Sequence, residues 1–291
     1  MFLRRKDMLP YLLLLPSILL LLGITIYPII YALNLSFYKW GMTSGEPMVY
    51  VGLDNYSKLA SDPEYHNALA NTLFFTAMTI TLSFTIGLMI AILLNSEVRG
   101  LSIYRTVIMI PTILTPVVVG ISFRFLYNYD IGLINYFLGV VGLTKQPWLG
   151  DPSLALPALA LVDVWEWTPF MALILFAGLQ SLPDAPFEAA QIDGASSFQS
   201  FRYITLPLLK PAISVAVLIR TMDAFRWFDT IYAMTKGGPG IATETLSVFT
   251  WKHGFLYFDM GYATSSALVM LLIIELFCWI YMKTVFKRER E

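Results

Sequence analysis

Between His66 and Glu97 the chain carries no Asp, Glu, Lys or Arg, and most residues in this window are apolar. That is the pattern of a helix surrounded by hydrocarbon, since a bilayer core needs roughly 20 mostly apolar residues in helical form. Five further stretches are predominantly apolar, the fourth and fifth with charges inside them, and together they predict spans at about 8–33, 71–94, 106–127, 154–182, 212–234 and 261–285. The fold class expected is an all-α polytopic membrane protein: six transmembrane helices in one domain covering 1–291, with a polar segment at about 184–205 between the fourth and fifth. Arg4, Arg5 and Lys6 ahead of the first apolar run also suit a signal peptide. The run is too long for that, and no A-x-A site comes after it, so it reads as an uncleaved helix bent by Pro16 and Pro28.

Composition agrees. The 291 residues are 57% hydrophobic and only 13% charged, about half the charged share of soluble domains. A net charge of −1 hides a strong asymmetry. With the N-terminus inside, the inner segments hold Arg4, Arg5, Lys6, Arg99, Arg105, Arg202, Lys210, Lys283, Lys287, Arg288 and Arg290. The outer loops hold Lys39, Lys58, Lys145, Lys236 and Lys252 among many acids, including Glu46, Asp54, Asp130 and Glu244. The positive-inside rule therefore predicts both termini, and the segment at 184–205, on the cytoplasmic side. The single cysteine, Cys278, lies in an apolar run and offers neither a disulfide framework nor metal-ligand spacing.

The polar segment reads DAPFEAAQIDGASSFQSFRYITLPLLKP from Asp184 to Pro211. Asp184 before Ala185-Pro186 predicts a capped helix start, and Gly194 an end in left-handed conformation. Phe198, Phe201 and Ile204 form a second apolar stripe, with Leu206-Pro207 and Lys210-Pro211 expected to halt that helix ahead of the fifth span. Ala189, Ala190 and Ala195 add little bulk, so another surface could approach, and Glu188 and Asp193 offer charge to a basic partner. From the residues alone, a helix lying in the lipid headgroups is as good a reading.

Glu188-Ala189-Ala190, Asp193-Gly194-Ala195, Phe201 and Leu206-Pro207 followed by Pro211 resemble the EAA loop of ABC importer permeases, in the form found in the carbohydrate-uptake branch. Thr235–Gly240 (TKGGPG), Thr243, Thr245-Leu246 and Gly261-Tyr262-Ala263 resemble the maltose-type first permease subunit. The resemblance implies a coupling helix, with Glu188, Ala189, Ala190, Asp193, Gly194, Ala195 and Phe201 docking against a cytoplasmic ATPase. It implies a second homologous permease as heterodimer partner, two ATPase subunits that carry ATP and Mg, an external solute-binding protein, and the cytoplasmic membrane of a bacterium or archaeon.

No chemistry of the chain's own is expected. No G-x-x-x-x-G-K-[ST] occurs, and Gly237-Gly238-Pro239-Gly240 lacks the lysine of a phosphate loop and reads as a turn. His66 and His253 have no cysteine or second histidine near them, so no metal site is expected; no G-x-S-x-G elbow is present, and no basic aromatic cluster suggests nucleic acid. This chain is thus expected to be a transport subunit and not an enzyme, with no cofactor bound. Intramembrane polar residues are where a solute path is sought. Arg220, Asp223, Arg226 and Asp229, each three apart, either neutralise one another along the fifth helix or line a path together with Trp227, Phe228 and Tyr232. Glu166 and Trp167 of the fourth span are further wall candidates. The expected function is the permease subunit of an ATP-binding-cassette importer for a sugar, oligosaccharide or polyol. The alternative is an ion-coupled secondary transporter or channel using the fifth-span charges.

Overall fold

A computed structural model describes residues 5–43, 45, 47–96 and 101–286. Arg4, Glu46, Arg99, Lys287, Arg288 and Arg290, part of the charge asymmetry above, lie outside the described residues. The elements in chain order are α1 (Arg5–Leu21), a π-turn (Leu22–Ile26), α2 (Tyr27–Leu35), strands β1 (Tyr38–Lys39) and β2 (Val49–Tyr50), α3 (Asp54–Ser61) and α4 (Pro63–Leu94). Then come α5 (Leu101–Ile108), α6 (Ile110–Ile113), α7 (Pro116–Leu126), α8 (Leu133–Val140) and α9 (Pro152–Gln180). The rest is α10 (Ala185–Ile192), α11 (Ser197–Ser200), a second π-turn (Phe201–Thr205), α12 (Leu206–Phe225), α13 (Asp229–Met234), α14 (Leu246–Trp251), a third π-turn (Lys252–Leu256) and α15 (Met260–Phe286).

Among the described residues, five helical stretches are long and apolar enough to cross a bilayer: Tyr11–Leu35, Pro63–Leu94, Pro152–Gln180, Ser197–Phe225 and Met260–Val285. The chain is an all-α polytopic membrane protein. The expected span at 106–127 is not one helix. Leu114 and Thr115 are extended, with ψ of 144° and 130°, because the Pro116 ring disfavours helical geometry in the residue before it. The helix beyond the break, α7, has 11 residues, about 17 Å of helix against a hydrocarbon core of about 30 Å. The expected span at 212–234 also differs at both ends. It breaks after Phe225 and resumes at Asp229, and at its start Pro207 and Pro211 do not halt the helix. Ser197–Phe225 is continuous, because the π-turn at Phe201–Thr205 widens the helix just before Pro207, where the missing N–H matters least.

The chain forms two compact units. The first joins the described residues up to Asp62 with Thr250–Leu272. Here every residue of α1 and α2 from Tyr11 to Tyr31 is exposed. Asn55 donates to the Ser36 and Tyr38 carbonyls at 2.8 and 3.0 Å, tying α3 to the loop after α2. His253 stacks edge-on to Tyr257 and Tyr262 at 5.1 and 4.9 Å, and burial together with nearby Lys58 holds its imidazole below the usual histidine range.

The second unit is Pro63–Phe249 with the residues from Ile273. Its spine is α4 against α9. Ala68, Thr72, Thr76, Thr79, Ser83, Gly87 and Ala91 of α4 are all buried, at spacings of three and four. Small residues in one such stripe let two helix backbones approach, the main source of association where lipid removes the hydrophobic drive. One hydroxyl of the stripe reaches a neighbouring element: the Leu246 N–H donates to Thr72 Oγ1 at 2.8 Å, fixing the start of α14. Toward the other end Leu94, Met171, Leu175, Leu179 and Leu209 close an apolar core between α4, α9 and α12.

Candidate functional site

The break between α12 and α13 builds the site. Arg226 leaves helical geometry (φ −99°, ψ 8°) and Phe228 is further out (φ −128°, ψ −52°), so the regular i to i−4 pattern is lost there and the Arg226 and Trp227 N–H groups bond only three residues back, to the Asp223 and Ala224 carbonyls. Irregular backbone at membrane depth survives only where other protein groups satisfy it or it lines a cavity. Both occur. Ser247 Oγ donates to the Trp227 carbonyl at 2.6 Å. The neighbouring break is handled likewise: Thr230 Oγ1 donates to the Pro116 carbonyl at 3.1 Å. A methyl at Gly120 of α7 would stand 2.9 Å from Ala233 Cβ and 3.2 Å from the Thr230 carbonyl. Only glycine lets α7 lie this close to α13.

Pro116, Trp167, Arg220, Asp223, Arg226, Trp227, Phe228 and Asp229 line a cavity of 190 Å³ at these breaks. Of the expected path residues, Trp167, Asp223, Arg226, Trp227, Phe228 and Asp229 come together there. Tyr232 sits one layer back, stacked on Phe228 at 5.1 Å. Glu166 is also behind the wall, 1% exposed, with neither carboxylate oxygen hydrogen-bonded.

The charges do not pair as a ladder along one helix. Asp223 and Arg226 do pair, at 2.7 Å, with the Arg226 side chain 70% exposed. Arg220 instead reaches across to Asp163 of α9 at 2.6 Å, and both side chains are 0% exposed. Its guanidinium lies 5.2 Å from the Trp167 ring and 5.9 Å from that of Trp227, an arrangement in which ring quadrupoles stabilise a desolvated cation. The two indoles meet edge to face at 6.1 Å. Asp163 and Pro116 are therefore site residues that sequence reasoning did not assign. The signal for Asp163 was available: a buried acid on one span needs a buried base on another.

The segment from Ala185 to Ser200 is a second, separate surface. Gly194 has φ +73°, and the Ala195 N–H donates to the Ala190 carbonyl at 2.9 Å while that of Gly194 donates to Gln191 at 3.2 Å. This is a Schellman ending. Ser196 and Gln199 then form a capping box that starts α11. Asp184, expected to cap α10, makes no side-chain cap bond; its own backbone is already helical (φ −74°, ψ −32°), which points the carboxylate away from the first-turn N–H groups. The alanines also divide: Ala190 is buried and Ala195 half-buried, leaving Ala189 open beside exposed Glu188 and Asp193. Ile192 is 87% and Phe198 71% exposed. Phe201 faces inward instead, onto a cavity shared with Ile92, Leu179, Phe187 and Gln191.

Comparison with known proteins fits this geometry. Residues 83–283 match the family described as binding-protein-dependent transport system inner membrane component. The chain is 37% identical over 279 residues to the trehalose/maltose transport system permease protein MalF of Thermococcus litoralis, covering 96% of this chain and 94% of that protein. It is 34% identical over 278 residues to the sulfoquinovosyl glycerol transport system permease protein SmoG of Agrobacterium fabrum, covering 96% and 90%. Its fold is that of a chain in a bacterial ABC transporter that imports the acidic polysaccharide alginate, with a TM-score of 0.84 over 97% of this chain and 96% of that one, at 21% identity. A membrane protein whose α9 and α12 enclose a charged, indole-lined cavity and flank an EAA-type loop thus belongs to the family of inner-membrane components of binding-protein-dependent ABC transport systems.

Proposed function

We propose that this chain is the permease subunit of an ABC importer for a carbohydrate, and that the cavity at the α12–α13 break is its share of the solute path. The observation that carries this is the union of aromatic faces and charged groups in one cavity: Trp167, Trp227 and Phe228 suit the C–H faces of sugar rings, and Asp223, Arg226 and Asp229 suit their hydroxyls. A second, homologous permease supplies the facing wall, and an external solute-binding protein delivers the solute. Two ATPase subunits hold ATP and Mg, and one of them docks on the segment from Ala185 to Ser200. There Glu188 and Asp193 meet basic groups, and Ile192 and Phe198 fill an apolar groove.

In this reading α5 to α7 together make the sixth crossing, both termini are cytoplasmic, and the chain lies in the cytoplasmic membrane of a bacterium or archaeon. The ion-coupled reading is not favoured: of the fifth-span acids it would use, Asp223 is held by Arg226, and the relatives this chain matches are named as permease proteins of sugar transport systems. The test is uptake by the assembled importer. Trp227→Ala should lower uptake or change solute preference at normal assembly, whereas Glu188→Ala should weaken ATPase pull-down while solute preference stays constant. If Trp227→Ala transports every sugar as wild type does, the path lies elsewhere. For topology, a cysteine placed at Ser197 in a Cys278→Ser background should resist membrane-impermeant reagents from outside, and one at Ser57 should react; outside labelling at Ser197 would reverse the orientation.

A further inference from the structure

The charge balance of the cavity goes further than its location. Two guanidiniums, Arg220 and Arg226, face three carboxylates, Asp163, Asp223 and Asp229, with Glu166 behind them as a fourth. Whatever proton Glu166 holds, the group is not positive. Each arginine has a carboxylate partner within it, Arg220 in Asp163 and Arg226 in Asp223. Asp229 is exposed, lines the cavity and has no arginine ion pair. A site built to hold a sugar carboxylate or sulfonate would present an unpaired guanidinium, the group that binds such anions through two parallel hydrogen bonds. Here Arg220 is sealed together with its partner, and the exposed Arg226 has Asp223 at 2.7 Å, so the N–H groups Arg226 has left over belong to a cation whose charge is already balanced and can serve a neutral hydroxyl.

We infer that this chain's half of the path selects uncharged saccharides and rejects acidic ones, and that Asp223 and Asp229 set that preference. The inference rests on the carbohydrate reading above. It separates this chain from relatives and fold neighbours named for anionic solutes, which share its architecture. A like charge in a partly desolvated cavity is disfavoured far more than in water, because the local dielectric is lower.

The test measures direct binding, so that the external binding protein's own preference does not enter. The assembled permease–ATPase complex in lipid nanodiscs, without binding protein, is titrated with maltotriose, cellotriose and raffinose and, separately, with trigalacturonate, by saturation-transfer NMR. At least one neutral trisaccharide should bind, with the signal reduced by Trp227→Ala, and trigalacturonate should bind at least tenfold more weakly. In Asp223→Asn/Asp229→Asn the ratio of acidic to neutral affinity should rise at least tenfold. A wild-type complex that binds trigalacturonate as well as the neutral sugars, or a ratio unmoved in the double variant, overturns the inference while leaving the carbohydrate path standing. Binding that ignores Trp227→Ala for every sugar overturns the placement of the path. If no trisaccharide of either kind binds, the carbohydrate reading falls and this inference with it.

Discussion

The cavity at the helix breaks and the segment from Ala185 to Ser200 are built on opposite rules. At the cavity charge is enclosed: Arg220 and Asp163 are sealed from solvent, with two indoles beside the guanidinium. In the segment the charges of Glu188 and Asp193 stand in the open, and so do large apolar side chains, Ile192 and Phe198. Each reflects its medium. Hydrocarbon offers a charge nothing, so its partner must come from the protein. Water hydrates a carboxylate readily and leaves apolar area as the group still lacking a partner. What a surface is ready to bind is therefore read differently at the two places: by charge balance in the cavity, by exposed apolar area in the segment.

Four substitutions would break or sharpen this contrast. The largest effect is expected at the sealed pair. Arg220→Ala leaves Asp163 buried without a counter-charge, which costs about 3–5 kcal/mol, so the purified complex should melt well below wild type or fail to assemble. Replacing both partners with apolar residues, as in Asp163→Leu/Arg220→Met, should recover most of the loss. A double variant as damaged as the single one would show that the pair does more than neutralise itself. Next is Ser247→Ala, which strands the Trp227 carbonyl at the break. A buried acceptor left unsatisfied costs about 1–3 kcal/mol, visible as a lower melting temperature and faster amide exchange around Phe225–Asp229.

The segment should respond more locally. Gly194→Val forces a β-branched residue into the left-handed region at a cost of about 1–2 kcal/mol, with open space around it and hence no clash elsewhere. Helix insertion and melting should stay near wild type while ATPase pull-down falls, whereas Gly194→Asn, which tolerates that conformation, should retain most of it. The smallest stability change belongs to Asp223→Ala. Its partner Arg226 is largely exposed, so the loss should stay within about 1 kcal/mol even as solute preference shifts. A loss as large as that of Arg220→Ala would mean the two pairs are one network, and the neutrality argument would need recasting.

Much of this was legible in the sequence because lipid imposes strict terms. A window such as 67–96, without a charge, has few fates besides a span, and Gly194 after a run of helix formers has few besides a left-handed cap. The breaks were harder. Pro116 looks like Pro169, yet the first stands at a break and the second is absorbed inside α9. Thr112 Oγ1 donates to the Glu166 carbonyl at 2.9 Å, joining α6 to α9, a long-range bond that no local pattern announces. The same holds for Arg220. Spacing by three along one helix invited pairing with Asp223, but the acid that met it lies 57 residues away in sequence. Proximity along the chain predicted one of the two pairs; burial decided the other.

The continuity of Ser197–Phe225 through its two prolines has a mechanical side. Its 29 residues make a rod of about 43 Å at 1.5 Å per residue, with one end beside Gly194 and the other at the first residue of the break. A tilt of about ten degrees applied at the lower end would carry the upper end sideways by about 7 Å, more than the width of a strand-to-strand step. In the proposed importer, the π-turn at Phe201–Thr205 would lie next to the docked end, and the stretch above it would act as a lever whose long arm ends at the cavity.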